Sequence, residues 1–301
     1  MAWTAEDIPS QEGRLALVTG ANSGLGLATI QALAARQATV ILACRSSRKA
    51  EAAQQQLQDQ GLSRLELLEL DLADLSSVQR AAESVRDRYG HLDLLINNAG
   101  VMAPPRRTTV QGHELQFGVN HLGHQALTQA LLPLMENRPD ARVVTVTSGA
   151  QYFGRIHWDD PNWEQRYERY GAYGQSKLAN VMFALELDAR LRQRSSTIRS
   201  LAAHPGLART QLQPTAIASG GNRAEALVYR LMDPLFQSAA MGALPQLHAA
   251  TAPSAKGGEH YGPNQLGGLR GHPSRCRVAP TANNPVERER LWNLSEQLIG
   301  A

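Results

Sequence analysis

Short apolar runs alternate with longer amphipathic stretches over the first two thirds of this 301-residue chain, and that alternation constrains the fold more than any other feature. Leu15-Ala-Leu-Val-Thr19, Thr39-Val-Ile-Leu-Ala43, Leu65-Glu-Leu-Leu-Glu-Leu70, Leu92-Asp-Leu-Leu-Ile96, Arg142-Val-Val-Thr-Val-Thr147 and Ile198-Arg-Ser-Leu-Ala-Ala203 read as six short buried strands. Leu25 to about Arg36, Arg48 to Gln60 and Leu75 to Tyr89 read as helices between them. A strand that returns through a helix returns parallel, by a right-handed crossover. The pattern therefore predicts an α/β fold, a doubly wound parallel sheet with helices on both faces. No Pro/Ser-rich linker divides residues 1–301, so a single domain is expected, with its core at about 14–210. Beyond it, Ala252 to Pro280 reads as loop from its Gly and Pro content, and Pro285 to Gly300 as a closing helix.

Composition narrows the class. Hydrophobic residues at 43% and charged residues at 19% exclude bulk disorder, and a net charge of +3 with both signs interspersed gives no nucleic-acid-binding face. Cys44 and Cys276 lie far apart in sequence and suggest neither a disulfide framework nor a CxxC knuckle. The acidic start Met1 to Ser10 lacks the basic, apolar character of a signal peptide, and every apolar stretch falls short of a spanning helix. A soluble, cytoplasmic protein with no membrane segment is expected.

The turn Thr19-Gly20-Ala21-Asn22-Ser23-Gly24-Leu25-Gly26 stands between the first strand and the first helix, where an open, Rossmann-like sheet binds a dinucleotide. Glycines there let a pyrophosphate approach backbone N–H groups, and the helix N-terminus favours the anion. The spacing is Gly-x3-Gly-x-Gly rather than GxGxxG. At the end of the second strand, where an NAD enzyme carries an acid for the ribose 2′-OH, the chain has Cys44-Arg45, and no carboxylate appears until Glu51. Arg45 can pair a 2′-phosphate, with Arg48 and Lys49 near enough in sequence to help; the bland alternative is a solvated basic loop. NADP (NADPH) is the expected cofactor, ahead of NAD.

Of the 7 tyrosines, Tyr173 alone has a lysine four positions on, at Lys177. On a helix that pair projects from one face, and a neighbouring ammonium favours the phenolate. Such a tyrosine can exchange a proton with an alcohol or carbonyl oxygen near neutral pH.

Taken with Asn97-Asn98-Ala99-Gly100 after the fourth strand, Ser148 after the fifth and Pro205-Gly206-x3-Thr210 after the sixth, these motifs resemble the short-chain dehydrogenases/reductases. Their order agrees from about residue 14 to 210. Ala43-Cys44-Arg45 and Asn120-His121-Leu122-Gly123-His124 further resemble the branch containing retinol dehydrogenases and the WW-domain oxidoreductase, without a WW domain or membrane anchor.

The resemblance implies roles. Ser148 would hydrogen-bond the substrate oxygen and Tyr173 would be the general acid/base. Lys177 would bind the nicotinamide ribose and lower the Tyr173 pKa, while Asn120 would hold a water linking Lys177 to solvent. Asp71, with Leu72 beside it, would hold the adenine. Asn98, Ala99 and Gly100 would line the adenosine side, and Pro205, Gly206 and Thr210 the nicotinamide carboxamide. Ser219-Gly220-Gly221-Asn222 and the apolar 224–236 stretch, within a 207–250 region, occupy the place of a mobile substrate lid. The activity implied is an NADP-dependent oxidoreductase, a carbonyl reductase type, interconverting an alcohol and its aldehyde or ketone. The alternative is a non-catalytic NADP-binding sensor or scaffold on the same fold.

The 25 positions from Ser148 to Tyr173 are long for the family. The extra segment, about Gly154 to Gly171, either walls the substrate pocket or covers the helix face that many relatives use for assembly. A monomer or small homo-oligomer with an apolar small-molecule substrate is expected. No HExxH occurs, and His121 and His124 lack a third ligand nearby, so no metal site is expected. Gly-x-Ser-x-Gly and a P-loop ending are absent as well, which disfavours a hydrolase or a nucleoside triphosphatase.

Overall fold

The computed structural model describes residues 2–210, 218 and 232–300. Eight strands form one sheet: β1 (Leu15–Thr19), β2 (Thr39–Cys44), β3 (Leu65–Glu69), β4 (Leu94–Asn97), β5 (Arg142–Val146), β6 (Arg199–Ala203), β7 (His260–Gln265) and β8 (Arg270–Arg275). Their order is β3-β2-β1-β4-β5-β6-β7-β8, parallel throughout except for the antiparallel β7–β8 pair. The helices are α1 (Gly24–Ala35), α2 (Ser47–Gln58), α3 (Leu75–Tyr89), the single turn α4 (Leu115–Phe117), α5 (Gly123–Met135), α6 (Arg169–Gln193), α7 (Ala239–Thr251) and α8 (Pro285–Ile299). A π-helical turn, Gly118–Leu122, joins α4 to α5.

The central strands β1, β2, β4 and β5 are apolar because both faces of the sheet are covered there. Ala16 and Val18 of β1 pack with Val40 and Leu42 of β2 under Ile30 and Leu33 of α1 and Leu57 of α2. The alternate residues Leu15, Leu17 and Ile41 pack on the other side with Val78 of α3, Leu127 of α5 and Phe183 of α6. The period of two along each strand thus divides one sequence run between two cores. The turns are set by local chemistry: the Asp74 carboxylate accepts the Ser76 N–H (3.0 Å) to start α3, and Gly90 in the left-handed region ends it.

One expectation is corrected. Ala252 to Pro280 is not mainly loop, since it holds β7 and β8. His-Tyr-Gly-Pro-Asn-Gln and Arg-Gly-His-Pro-Ser-Arg have low strand propensity, but pairing with β6 and with each other imposes the extended form. The expected doubly wound parallel sheet is present, with β8 added to it as an antiparallel edge strand. The 224–236 apolar stretch lies mostly outside the described residues, as does Ser219-Gly220-Gly221-Asn222. No helix among the described residues is long and apolar enough to cross a membrane.

The segment between Ser148 and Tyr173 lies along the outer side of α6. A Cβ on Gly154 would sit 2.2 Å from the Gly174 carbonyl oxygen, and one on Gly171 would sit 2.6 Å from the Trp163 ring. The His157 N–H donates to Gln175 Oε1 (2.9 Å), and Gln175 Nε2 donates to the Pro161 carbonyl (2.9 Å). Gly171, Gly174, Gln175 and Leu178 share the helix side opposite Tyr173 and Lys177 at a period of 3.6. Arg290 of α8 stacks on Trp158 at 4.2 Å, so the segment and α8 cover that side together. Of the two roles left open for this segment, its 154–163 part covers the helix face.

Candidate active site

Parallel strands carry their ligand sites at their C-terminal ends, in the crevice where the strand order reverses. Here the reversal falls between β1 and β4. The glycine turn closes on that crevice. Gly20 adopts φ +66°, and a Cβ on it would sit 2.8 Å from Ala99 Cα; one on Gly26 would sit 2.3 Å from the Gly20 oxygen. Asn98 Nδ2 donates to the Thr19 carbonyl (2.8 Å), while the N–H groups of Asn98 and Ala99 both donate to Thr19 Oγ1 (2.9 Å each). The turn is thereby tied to the end of β4. Asn22 and Ser23 are half-buried on it, and the Cys44 sulfur takes the N–H groups of Ala21 and Asn22. Burial pushes that thiol up to about 11, so it is inert at neutral pH. Ser23 makes no side-chain cap, and Gly24 and Leu25 open α1.

Arg45, Arg48 and Lys49 are exposed after β2 and form no ion pair among the described residues. Arg48 and Lys49 stand in the first turn of α2, which carries no acid and whose helix dipole disfavours cations. Asp71 is half-buried after β3 and accepts the Ala73 N–H at Oδ1 (2.9 Å), with Leu72 buried beside it against Gly123.

At the end of β5, Ser148 caps the short 3-10 turn Gly149–Tyr152, its Oγ accepting the Ala150 N–H (3.2 Å). Tyr173, Ser176, Lys177 and Asn180 share the inner side of α6. Lys177 is 3% exposed; its Nζ donates to the Val146 carbonyl (3.3 Å) and lies 5.8 Å from the centre of the Tyr173 ring. Desolvation pulls its pKa from 10.5 down to about 8. Asn120 sits in the π-turn. Its Oδ1 accepts the Val101 N–H (2.8 Å), and its Nδ2 donates to the Val101 carbonyl (3.0 Å) and to Ser176 Oγ (2.9 Å). A Cβ on Gly100 would lie 3.3 Å from Asn120 Oδ1 and 3.5 Å from Lys177 Nζ, so the backbone there lies close against both groups. A π-turn at such a position is a frequent mark of a functional site.

After β6, Pro205 and Gly206 turn against the β7–β8 hairpin. Gly206 has φ +63°, and a Cβ there would be 2.4 Å from the Leu269 oxygen. Thr210 comes back to the glycine turn, with its Cβ 3.5 Å from the Cβ position of Gly24. The residues singled out in the sequence therefore gather at the C-terminal ends of β1 to β6.

Sequence reading missed three parts of this edge. His124, weighed as a metal ligand, is fully enclosed; its Nε2 lies 2.8 Å from Thr19 Oγ1 and its Nδ1 2.9 Å from the Asn120 carbonyl oxygen. Burial lowers its pKa to about 4, which keeps it neutral. The signal available was its i, i+4 spacing from Asn120. Gln237 binds the loop after β6. Ligand atoms of His204, His260 and Cys276 lie within 4.8 Å of one another, a group that only strand pairing assembles. Both rings in it already serve the backbone: His204 Nδ1 accepts the Gly206 N–H (3.3 Å), and His260 Nδ1 lies 2.8 Å from the Arg277 carbonyl oxygen. A cavity of about 810 Å³ lies elsewhere, lined by Phe153, Trp158 and Trp163 on the outer side of α6 and not by Ser148, Tyr173 or Lys177.

An open sheet with a glycine turn at its switch point defines the class of dinucleotide-binding α/β proteins. The chain belongs to the short-chain dehydrogenase family: the family model described as short chain dehydrogenase matches residues 14–219. It is 38% identical over 294 residues to retinol dehydrogenase 12 of Homo sapiens, covering 96% of this chain and 87% of that one. It is 37% identical over 292 residues to human retinol dehydrogenase 13, covering 96% and 85%. A solved structure of a protein from Mycobacterium Paratuberculosis superposes with a TM-score of 0.82 at 41% identity, covering 100% of this chain and 98% of that one. L-sorbose reductase from Gluconobacter frateurii shares the fold (TM-score 0.65, 23% identity, 84% and 95% covered). Membership makes this chain an oxidoreductase acting on alcohols or carbonyls, with a nicotinamide dinucleotide as cofactor and a small-molecule substrate. The residues present fit that cofactor: the glycines leave no Cβ over the turn, α1 opens without a side-chain cap, and unpaired cations stand beside it.

Proposed function

We propose that this protein is an NADP-dependent oxidoreductase that interconverts an apolar alcohol and its aldehyde or ketone, with Tyr173 as general acid/base. The observation that carries the reading is the buried Lys177 ammonium beside the Tyr173 ring, on the inner side of the helix that follows the Ser148 turn. Bound nicotinamide supplies the hydride to the carbonyl carbon in reduction and accepts it in oxidation. In the reductive direction, Ser148 Oγ–H hydrogen-bonds the substrate oxygen and Tyr173 Oη–H gives that oxygen its proton as negative charge develops. Lys177, cationic below its pKa of about 8, favours the phenolate left behind. It also holds the nicotinamide ribose, and Asn120, in the π-turn beside it, holds a water that links Lys177 to solvent as a proton relay.

Asn98, Ala99 and Gly100 line the adenosine side, Asp71 and Leu72 take the adenine, and Gly20, Asn22, Ser23, Gly24, Leu25 and Gly26 receive the pyrophosphate. Pro205, Gly206 and Thr210 face the carboxamide. Arg45 and Lys49 pair the 2′-phosphate, supported by the unpaired cations at a helix start whose dipole calls for an anion. The retinol dehydrogenase names of the relatives support an apolar substrate. The covering of the outer side of α6 by the chain's own α8 and 154–163 segment supports a monomer or small homo-oligomer.

Titration of NADPH and NADH by nicotinamide fluorescence, then absorbance decay with a panel of aldehydes and ketones, tests the assignment. Tight NADPH binding with carbonyl-dependent oxidation is expected. Binding without turnover across a broad panel would favour a sensor.

A further inference from the structure

The chain leaves β6 through His204–Thr210 and returns to the same place at Gln237, where Ala208 and Gln237 form an isolated parallel bridge. Gln237 is 6% exposed. Its backbone N–H donates to the Leu207 carbonyl (2.8 Å), and its carbonyl accepts the Arg209 N–H (2.9 Å). Its side chain works in both directions. Nε2–H donates to the Pro205 carbonyl (2.9 Å), and Oε1 accepts the Gly271 N–H (3.0 Å). One residue thus fixes the backbone at 205, 207 and 209 and joins that loop to the start of β8 behind it. The hairpin completes the clamp: the Leu207 N–H donates to the Leu269 carbonyl (2.7 Å), and Gly206 is pressed against that same carbonyl group.

A primary amide is the chemistry this position needs, because it must donate to a carbonyl and accept from an N–H inside one buried gap. An apolar replacement leaves both backbone groups without partners, and a carboxylate serves one of them only. None of these bonds is made to the glycine turn, Arg45 or Asp71, which hold the other end of the crevice; the loop meets that turn at its far end, where Thr210 packs against Gly24.

We infer that Gln237 is a positioning residue that sets the loop carrying Pro205, Gly206 and Thr210 for the nicotinamide half of the cofactor, separately from the adenosine half. The inference rests on the dinucleotide reading of the preceding subsection. Hydride transfer requires near-attack geometry at the nicotinamide, so a loop displaced by a fraction of an ångström weakens that half selectively.

The test compares two probes on wild type, Gln237→Leu and Gln237→Glu: NADPH, and 2′,5′-ADP as the adenosine half alone. The NADPH dissociation constant is expected to rise about tenfold in Gln237→Leu, equivalent to roughly 1.4 kcal/mol, with 2′,5′-ADP affinity within about twofold of wild type. Gln237→Glu, which keeps the Gly271 bond and loses the Pro205 bond, is expected to show the same split at smaller size. It serves also if the leucine variant does not fold. Unchanged NADPH affinity in Gln237→Glu, or equal weakening of both probes, would overturn the inference. Wild-type protein that binds neither probe would instead remove the dinucleotide reading on which it stands.

Discussion

Lys177 keeps an ammonium where the interior disfavours one. A folded pKa of about 8 against 10.5 for the ordinary group means that, at pH 7, the native state bears a penalty of about 3 kcal/mol that the unfolded chain does not. As pH rises from 8 towards 10.5 the native lysine is already neutral while the unfolded one still holds its proton, so the penalty fades. Lys177→Met is therefore expected to raise stability at pH 7 by about 1–3 kcal/mol while abolishing turnover. Urea unfolding of both proteins at pH 7 and pH 10 checks it: the gap between them should narrow at the higher pH. Arg45 offers a second prediction. Arg45→Asp places a carboxylate where a 2′-phosphate would bind, and the ratio of NADPH to NADH affinity should fall about ten- to hundredfold. An unchanged ratio would mean the 2′-phosphate is held elsewhere. Tyr173 and Lys177 were legible in the sequence because their partnership is local, one helical turn apart. His124 and Gln237 were not, because Thr19 and Gly271, the groups they serve, reach them only through the tertiary fold.

At the scale of elements, α6 carries chemistry on one side and close packing on the other. Gly154 and Gly174 let the covering segment lie directly on the helix backbone. Gly154→Ala would force a methyl within 2.2 Å of the Gly174 carbonyl oxygen and is expected to destabilise the fold by about 2–3 kcal/mol. The measurement is the urea midpoint of the variant; a change below about 0.5 kcal/mol would mean the segment does not lie on the helix. The first six strands were readable as short runs carrying apolar residues, the clearest being β1, β2, β4 and β5, which are buried on both faces. β7 and β8 were not, since their Gly, Pro and polar residues carry no strand pattern. Pairing at the sheet edge gives them their form, and Gly267 and Gly268, both at positive φ, turn the hairpin. The 154–163 segment gave an apolar signal without a destination, because aromatic residues pack equally well in a pocket or on a helix.

In the molecule as a whole, five histidines are buried, and four of them, His121, His124, His204 and His260, are almost completely closed off from water. Desolvation lowers His121 and His204 to about 3 and His124 and His260 to about 4. Well above pH 6.5 they are largely neutral in both the native and the unfolded state, so they change stability little there. As pH falls from 6.5 towards 4 the unfolded chain takes up protons that the native state refuses, and stability is lost over that window. The urea midpoint should be flat from pH 7.5 to 7 and fall steeply between 6.5 and 4.5. A midpoint that holds to pH 5 would contradict this burial. The doubly wound order, with its switch point between β1 and β4, was implied by strand–helix alternation, and it brings motifs nearly two hundred residues apart to one edge. That convergence underlies the central claim, that Tyr173 moves the proton in a hydride-transfer reaction. The most direct test is Tyr173→Phe, assayed for carbonyl-dependent NADPH oxidation beside NADPH affinity. Turnover is expected to fall by about a thousandfold or more with affinity within about threefold of wild type. Full turnover with intact cofactor binding would contradict the account.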